Sequence, residues 1–184
     1  MKNHDLRKAL RRLKKNNISI IGHMGSGKSV VGKMLSKKFD FRHFDTDNEI
    51  TNFTNKSINQ IFNEKNGENK FRLVEKEISL KLINKKNIVI SLGGGSILDK
   101  TVRKELAKKS VTLFLDVDLN ELEKRLVNSN KRPLLKNVNI KDKIKELDSI
   151  RRKYYLLADI KIQNAKDLKE TYEKFIDFFS NFND

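Results

Sequence analysis

The sequence predicts an α/β fold, a five-stranded parallel sheet flanked by helices. Three observations predict it. Five short apolar runs alternate with longer stretches of helical periodicity, and strands separated by helices pair in parallel with both faces covered. The first three runs stop at glycine or aspartate clusters, where ligands bind in such sheets, beyond the carboxyl ends of the strands. At 184 residues, with one proline, eight glycines and no cysteine, the chain suits one domain with a sizeable core. It excludes a disulfide scaffold and a collagen-like repeat.

The elements follow in order. Asn17-Ile18-Ser19-Ile20-Ile21 is a buried strand that stops at Gly22. A glycine-rich turn leads to a helix over about Lys28 to Lys38. Arg42-His43-Phe44 is a second strand, ending in Asp45-Thr46-Asp47. Asn48 to Asn84 is helical, broken near Thr54-Asn55 and near Asn66-Gly67, where asparagine and glycine interrupt the period. Ile88-Val89-Ile90 is the third strand and ends at Gly93-Gly94-Gly95. A helix over Asp99 to Ala107 precedes the fourth strand, Val111 to Leu115, and a helix over Leu119 to Val127 follows it. Asn128 to Asn139 is polar and basic and reads as an exposed, mobile loop. Ile140 to Leu157 is helical, Ile160-Lys161-Ile162 is the fifth strand, and Asp167 to Phe179 is the last helix.

The net charge of +16 invites a nucleic-acid reading. Thirty of the forty positive charges are lysines spread along the chain, and few aromatics stand among them as stacking platforms. A solvated lysine surface is the better account, and it still draws small anions toward the protein. At the N-terminus Leu6, Ala9, Leu10 and Leu13 share helical spacing with six basic residues around them. That pattern suits a short helix docked by its leucines, or a basic amphipathic helix for a membrane surface. No apolar region of a secretory signal is present, Asp5 and the lack of Ser and Thr speak against a transit peptide, and no run approaches a membrane span. The chain reads as a soluble, cytoplasmic protein with no membrane or nucleic-acid partner.

Gly22-His23-Met24-Gly25-Ser26-Gly27-Lys28-Ser29 matches G-x-x-x-x-G-K-[ST]. At this composition about 0.005 matches arise by chance in a chain of this length. Glycines let backbone N–H groups wrap phosphates, and the following helix presents a positive end. Lys28 would reach the β- and γ-phosphates and Ser29 would hold Mg²⁺. An ordinary glycine turn would not call for Lys and Ser at those positions.

The acceptor side is less specific residue by residue. Asp45 and Asp47 at a strand end would share one side, about 7 Å apart, one toward a metal and the other toward an acceptor hydroxyl. Asp47 equally suits a helix cap. Arg72 and Glu75, at i and i+3 on a helix, suit either a surface ion pair or an arginine held ready for a carboxylate ligand. Gly93-Gly94-Gly95 permits close backbone approach, or is a bare turn. Arg132, in Arg132-Pro133-Leu134-Leu135, can close over a transferring phosphoryl group from a lid. His4, His23 and His43 form no ligand cluster, and packed or solvated histidines are the plainer reading.

These motifs stand in one order and at one spacing, and through them the chain, from about Asn17 onward, resembles the shikimate kinase family. The resemblance implies a P-loop kinase fold with a small helical substrate-binding insert at about 47–84 and a lid at about 128–139. The kinase domain would span 17–184 and follow a basic extension, residues 1–16. The reaction would be transfer of the γ-phosphoryl of ATP, with Mg²⁺, to the 3-hydroxyl of shikimate, the fifth step of chorismate synthesis. Gly25, Ser26, Gly27, Lys28, Ser29 and Val30 would contact ATP, Ser29 would ligate Mg²⁺, and Asp45 would reach that ion through water. Asp47 would orient or deprotonate the acceptor hydroxyl. Arg72, supported by Glu75, would grip the shikimate carboxylate, and Gly94 would meet the substrate through its backbone. Phe62 and Phe71 would wall the pocket. Arg125 would lie against the adenine and Arg132 near the phosphates. We expect a monomer.

The chain departs from the family pattern at the second substrate arginine, which there sits in R-x-P-L-Y. Here Ile150-Arg151-Arg152-Lys153-Tyr154-Tyr155 lacks the proline. Arg151 keeps the spacing to Tyr155 and is our choice, with Arg152 next. Ser91 stands where many phosphate-loop enzymes carry aspartate, and Ser or Thr is common there in this family. The rivals are another kinase of the same scaffold, acting on gluconate or a nucleoside monophosphate, and a basic ATP-dependent nucleic-acid-binding protein.

Overall fold

A computed structural model of the chain describes residues 3–127, 133–135, 138–163 and 167–180. It begins with α1 (Asn3–Arg12), β1 (Asn17–Ile21), α2 (Lys28–Phe39) and β2 (Arg42–Asp45). Three helices follow: α3 (Thr46–Thr54), α4 (Ile58–Phe62) and α5 (Gly67–Ile83). The remainder is β3 (Ile88–Ser91), a 3-10 turn (Ser96–Leu98), α6 (Lys100–Lys109), β4 (Ser110–Asp116), α7 (Leu119–Leu126), a second 3-10 turn (Pro133–Leu135), α8 (Ile140–Tyr155), β5 (Ile160–Gln163) and α9 (Leu168–Ser180).

All strand pairs are parallel, in the order β2-β3-β1-β4-β5. β1 lies at the centre, with Ile18 opposite Val89 on one side and Val111 on the other. The alternation along the strands divides the core in two. Ile18, Ile20, Val111, Leu113 and Leu115 face one layer, with Leu35, Phe39, Phe175 and Phe179 of α2 and α9. Ile21, Ile88, Ile90 and Phe114 face the other, with Ile50, Ile78, Leu82 and Leu106. A sheet buried on both sides is what near-continuous apolar strands require.

The helical breaks lie where the asparagines stand. Asn55 ends α3 at φ 53°, and Asn66 precedes α5 at φ 59°, a left-handed conformation that asparagine tolerates better than most residues. Ser57 opens α4 with a capping box to Gln60. On α1, Leu6, Ala9 and Leu10 are buried in the same cluster as Phe39, Phe175 and Phe179. The apolar face that a membrane-surface helix would need is therefore consumed by the core. Among the described residues no helix is long and apolar enough to cross a membrane.

Within the polar stretch 128–139, Val138 and Asn139 are exposed, while the segment around Leu135 is packed. Pro133–Leu135 makes a 3-10 turn whose Leu135 is buried with Leu122, Leu126 and Ile144. Arg132 lies outside the described residues.

Candidate active site

The loops after β1, β2 and β3 meet at the carboxyl edge of the sheet. The first wraps the N-terminus of α2. Gly27 caps that helix at φ 93°, and a Cβ there would touch nothing within 4 Å. Its glycine is demanded by conformation, and the space above the helix end stays open as a cradle for phosphate. Lys28 Nζ donates to the carbonyls of Gly22 (3.0 Å) and His23 (2.7 Å). Ser26 is buried with its hydroxyl unmatched by a protein partner. Arg125 reaches the same loop from α7, donating to Gly25 O at 3.3 Å and pairing with Glu121 at 2.9 Å. Val30 is exposed and lines the cavity above the loop.

The Ser29 hydroxyl donates to the Asp45 carboxylate. A hydroxyl beside a carboxylate is a hard-oxygen set that suits Mg²⁺, which keeps most of its water and takes few protein ligands. Among the described residues no group of three or more His, Cys, Asp and Glu could hold a metal ion.

Period-two geometry does not relate Asp45 to Asp47, because the strand ends at Asp45. Asp45 is the cap of α3 and accepts from Asp47 N at 3.0 Å, while Asp47 sits in the first helical turn. Both carboxylates still line one cavity, brought there by the strand-to-helix turn. Thr46, buried between them, pins that turn to the third loop by accepting from Gly93 N at 2.7 Å.

Arg72 donates to Glu75 at 2.7 Å. Glu75 is buried and also accepts from Ser96 Oγ at 3.0 Å, so the arginine is held from beneath. The triple glycine is a matter of space. A Cβ on Gly95, whose φ is −94°, would stand 2.3 Å from Arg72 Nη1, and one on Gly93 would stand 2.4 Å from Glu75 Oε1. Opposite them, Arg151 is 2% exposed, faces the same pocket, and its Nε has no protein partner. Arg152 turns away and pairs with Asp116 at 3.0 Å and Asp148 at 3.4 Å. The Phe62 and Phe71 rings, 5.0 Å apart, form the apolar wall. Pro133 and Leu134 also line this pocket.

Two cavities result. The phosphate cavity is lined by Gly25 to Val30 except Ser26, and the other by Arg72, Glu75, Arg151 and the phenylalanines. Met24, Asp47, Gly93 and Gly94 line both. Arg72, Arg151, Asp47, Gly94, Lys28 and Ser29 are thus brought into one cleft, with Arg125 at its rim.

The shikimate kinase family model matches residues 24–180. The chain belongs to the shikimate kinase family. The shikimate kinase of Persephonella marina is 42% identical over 146 residues, 79% of this chain and 87% of that protein. That of Aquifex aeolicus is 38% identical over 159 residues, 86% and 93%. The solved structure of the Acinetobacter baumannii shikimate kinase in complex with shikimate superposes with a TM-score of 0.86 at 29% identity, covering 95% of this chain and 97% of that one.

Residue patterns missed three residues that hold or flank the loops of this kinase's cleft. Tyr155 donates to Gly94 O at 2.6 Å, and burial pushes its phenol above the ordinary value, so it remains a donor. His43, on β2, shares a hydrogen bond with Ser91 Oγ at 2.9 Å, and Ser91 Oγ donates to Lys28 O at 3.0 Å. Burial lowers the His43 pKa against the pull of Asp45. His23 is buried against Asp148, with its pKa likewise lowered by burial. No spacing in the sequence joins these residues to their partners, which lie 48 to 125 positions away.

Proposed function

We propose that this member of the family transfers the γ-phosphoryl group of ATP to the 3-hydroxyl of shikimate, making shikimate 3-phosphate for chorismate and aromatic amino acid synthesis, as a cytoplasmic monomer. The observation that carries the reading is the shared wall of the two cavities. Asp47 stands where a phosphate donor and a carboxylate-bearing acceptor would meet.

Each residue then has a task. Gly25, Ser26, Gly27, Lys28, Ser29 and Val30 hold the nucleotide, with Arg125 on the adenine and Arg132 from the lid. Ser29 would ligate Mg²⁺ and Asp45 would order its water. Bound ATP and Mg²⁺ supply the phosphoryl group and offset its charge. Arg72 and Arg151 hold the acceptor's carboxylate, and the backbone of Gly94 meets its ring hydroxyls. Asp47 accepts the hydrogen bond of the 3-hydroxyl and aims its oxygen at phosphorus. The new O–P bond forms as the bond to the ADP oxygen breaks, and the hydroxyl proton passes to Asp47. The chemistry is positioning and charge neutralisation, with no covalent enzyme intermediate.

The test is an ADP-release assay with shikimate, gluconate and nucleoside monophosphates offered in turn. Shikimate-dependent release is expected. Turnover of another acceptor with shikimate inert would overturn the reading.

A further inference from the structure

His23 occupies a position of the phosphate loop whose side chain the phosphate motif leaves free. It is nevertheless 4% exposed and tied to elements of the other cavity. Its Nε2 lies 2.9 Å from Asp148 Oδ1 on α8. A carboxylate only accepts, so Nε2 carries the hydrogen. Its ring and that of Tyr155, also on α8, make a T-shaped contact at 5.0 Å and 77°. Tyr155 in turn holds Gly94 O. Arg151 lies three residues beyond Asp148, one helical turn along. On the other side, the backbone carbonyl of His23 accepts from Lys28 Nζ at 2.7 Å.

We propose that His23 is a positioning residue that couples the nucleotide cavity to the carboxylate pocket through Asp148. This rests on the function proposed above. Phosphate groups in the cradle compete for the Lys28 ammonium and so release the His23 carbonyl. The backbone then carries the ring, and the ring is bonded to the helix that bears Arg151. A shift at one site is transmitted to the other by rigid, hydrogen-bonded parts. By linkage the effect is reciprocal, so nucleotide and acceptor tighten each other's binding by the same factor. Asp148 stays anchored from behind by Arg152, itself paired with Asp116.

The coupling is measured by titrating shikimate into the full chain with Mg²⁺, with and without saturating β,γ-imido ATP. In the unaltered protein the analogue should tighten shikimate at least about fivefold. His23→Leu and Asp148→Ala should reduce that factor to below about twofold. His23→Gln, which keeps an N–H donor aimed at Asp148, should restore most of it. A histidine that merely packs would weaken both ligands while leaving the factor unchanged. That result, or a factor of one in the unaltered protein, overturns the proposal. Should His23→Leu fail to fold, Asp148→Ala and the glutamine variant decide. If the unaltered protein does not phosphorylate shikimate, the functional reading falls and takes this one with it. Normal turnover with undiminished coupling in the variants sinks this inference alone.

Discussion

At the scale of the residue, Asp47 and Gly95 make opposite kinds of demand. Asp47 is chosen for its charge and place, since a carboxylate in the first turn of α3 lines both cavities. Asp47→Asn keeps the shape and removes the base. It should lower kcat by about 10²–10⁴-fold while the affinity for Mg–ATP is retained, as steady-state kinetics and nucleotide titration would show. Near-normal kcat would remove Asp47 from the mechanism. Gly95 is chosen for what it lacks. A methyl group there would stand 2.3 Å from Arg72 Nη1. Gly95→Ala should therefore mimic Arg72→Ala, raising the shikimate KM by roughly tenfold or more, as losing a charge-assisted hydrogen bond does, and the ATP KM much less. Equal effects on both substrates would mean that Arg72 does not hold the carboxylate. Residue patterns reached Asp47, Arg72 and the three glycines. They did not reach the reason for Gly93 and Gly95, because Glu75 and Arg72, for which these two make room, lie on a distant helix.

At the scale of the element, α8 and the phosphate loop depend on one another. His23 is buried between them, and burial holds its pKa below the ordinary 6.5. Arg151 and Lys28 also disfavour its charged form, while Asp148 favours it. The unfolded chain thus takes up a proton at a higher pH than the folded one. The stability this contributes is complete above about 6.5 and is lost as pH falls through the lowered folded value. Thermal unfolding between about pH 7 and pH 5 should show a fall in Tm that is smaller in His23→Leu than in the unaltered chain. Identical slopes would mean that His23 is protonated as readily folded as unfolded. His43 contributes a similar slope to both proteins and cancels in the comparison.

At the scale of the whole molecule, the charge of +16 acts as a field. Both proposed substrates are anions, and Lys28, Arg72 and Arg151 stand in the cleft. Screening lengths shrink from about 10 Å at 0.1 M salt to about 3 Å at 1 M. The kcat/KM for shikimate should fall severalfold across that range, measured in an inert salt. A flat profile would confine the basic residues to solubility. The helical N-terminus belongs to the same scale. Its leucines complete the layer formed by α2 and α9, so a segment distinct in composition is continuous in packing.

The sequence by itself determined the order of strands and helices, the phosphate loop and the identity of most cleft residues. Local periodicity and fixed spacings are written along the chain. Folding then decided which of those residues face one another. The turn after β2 aimed Asp47 into the cleft that two adjacent motifs only bordered. Burial separated Arg151 from Arg152, because α8 presents one to the pocket and the other to Asp116. His23, Tyr155 and Ser91 acquired partners from strands and helices far away in the sequence. Such pairings depend on how the layers pack in three dimensions, and no interval along the chain encodes them.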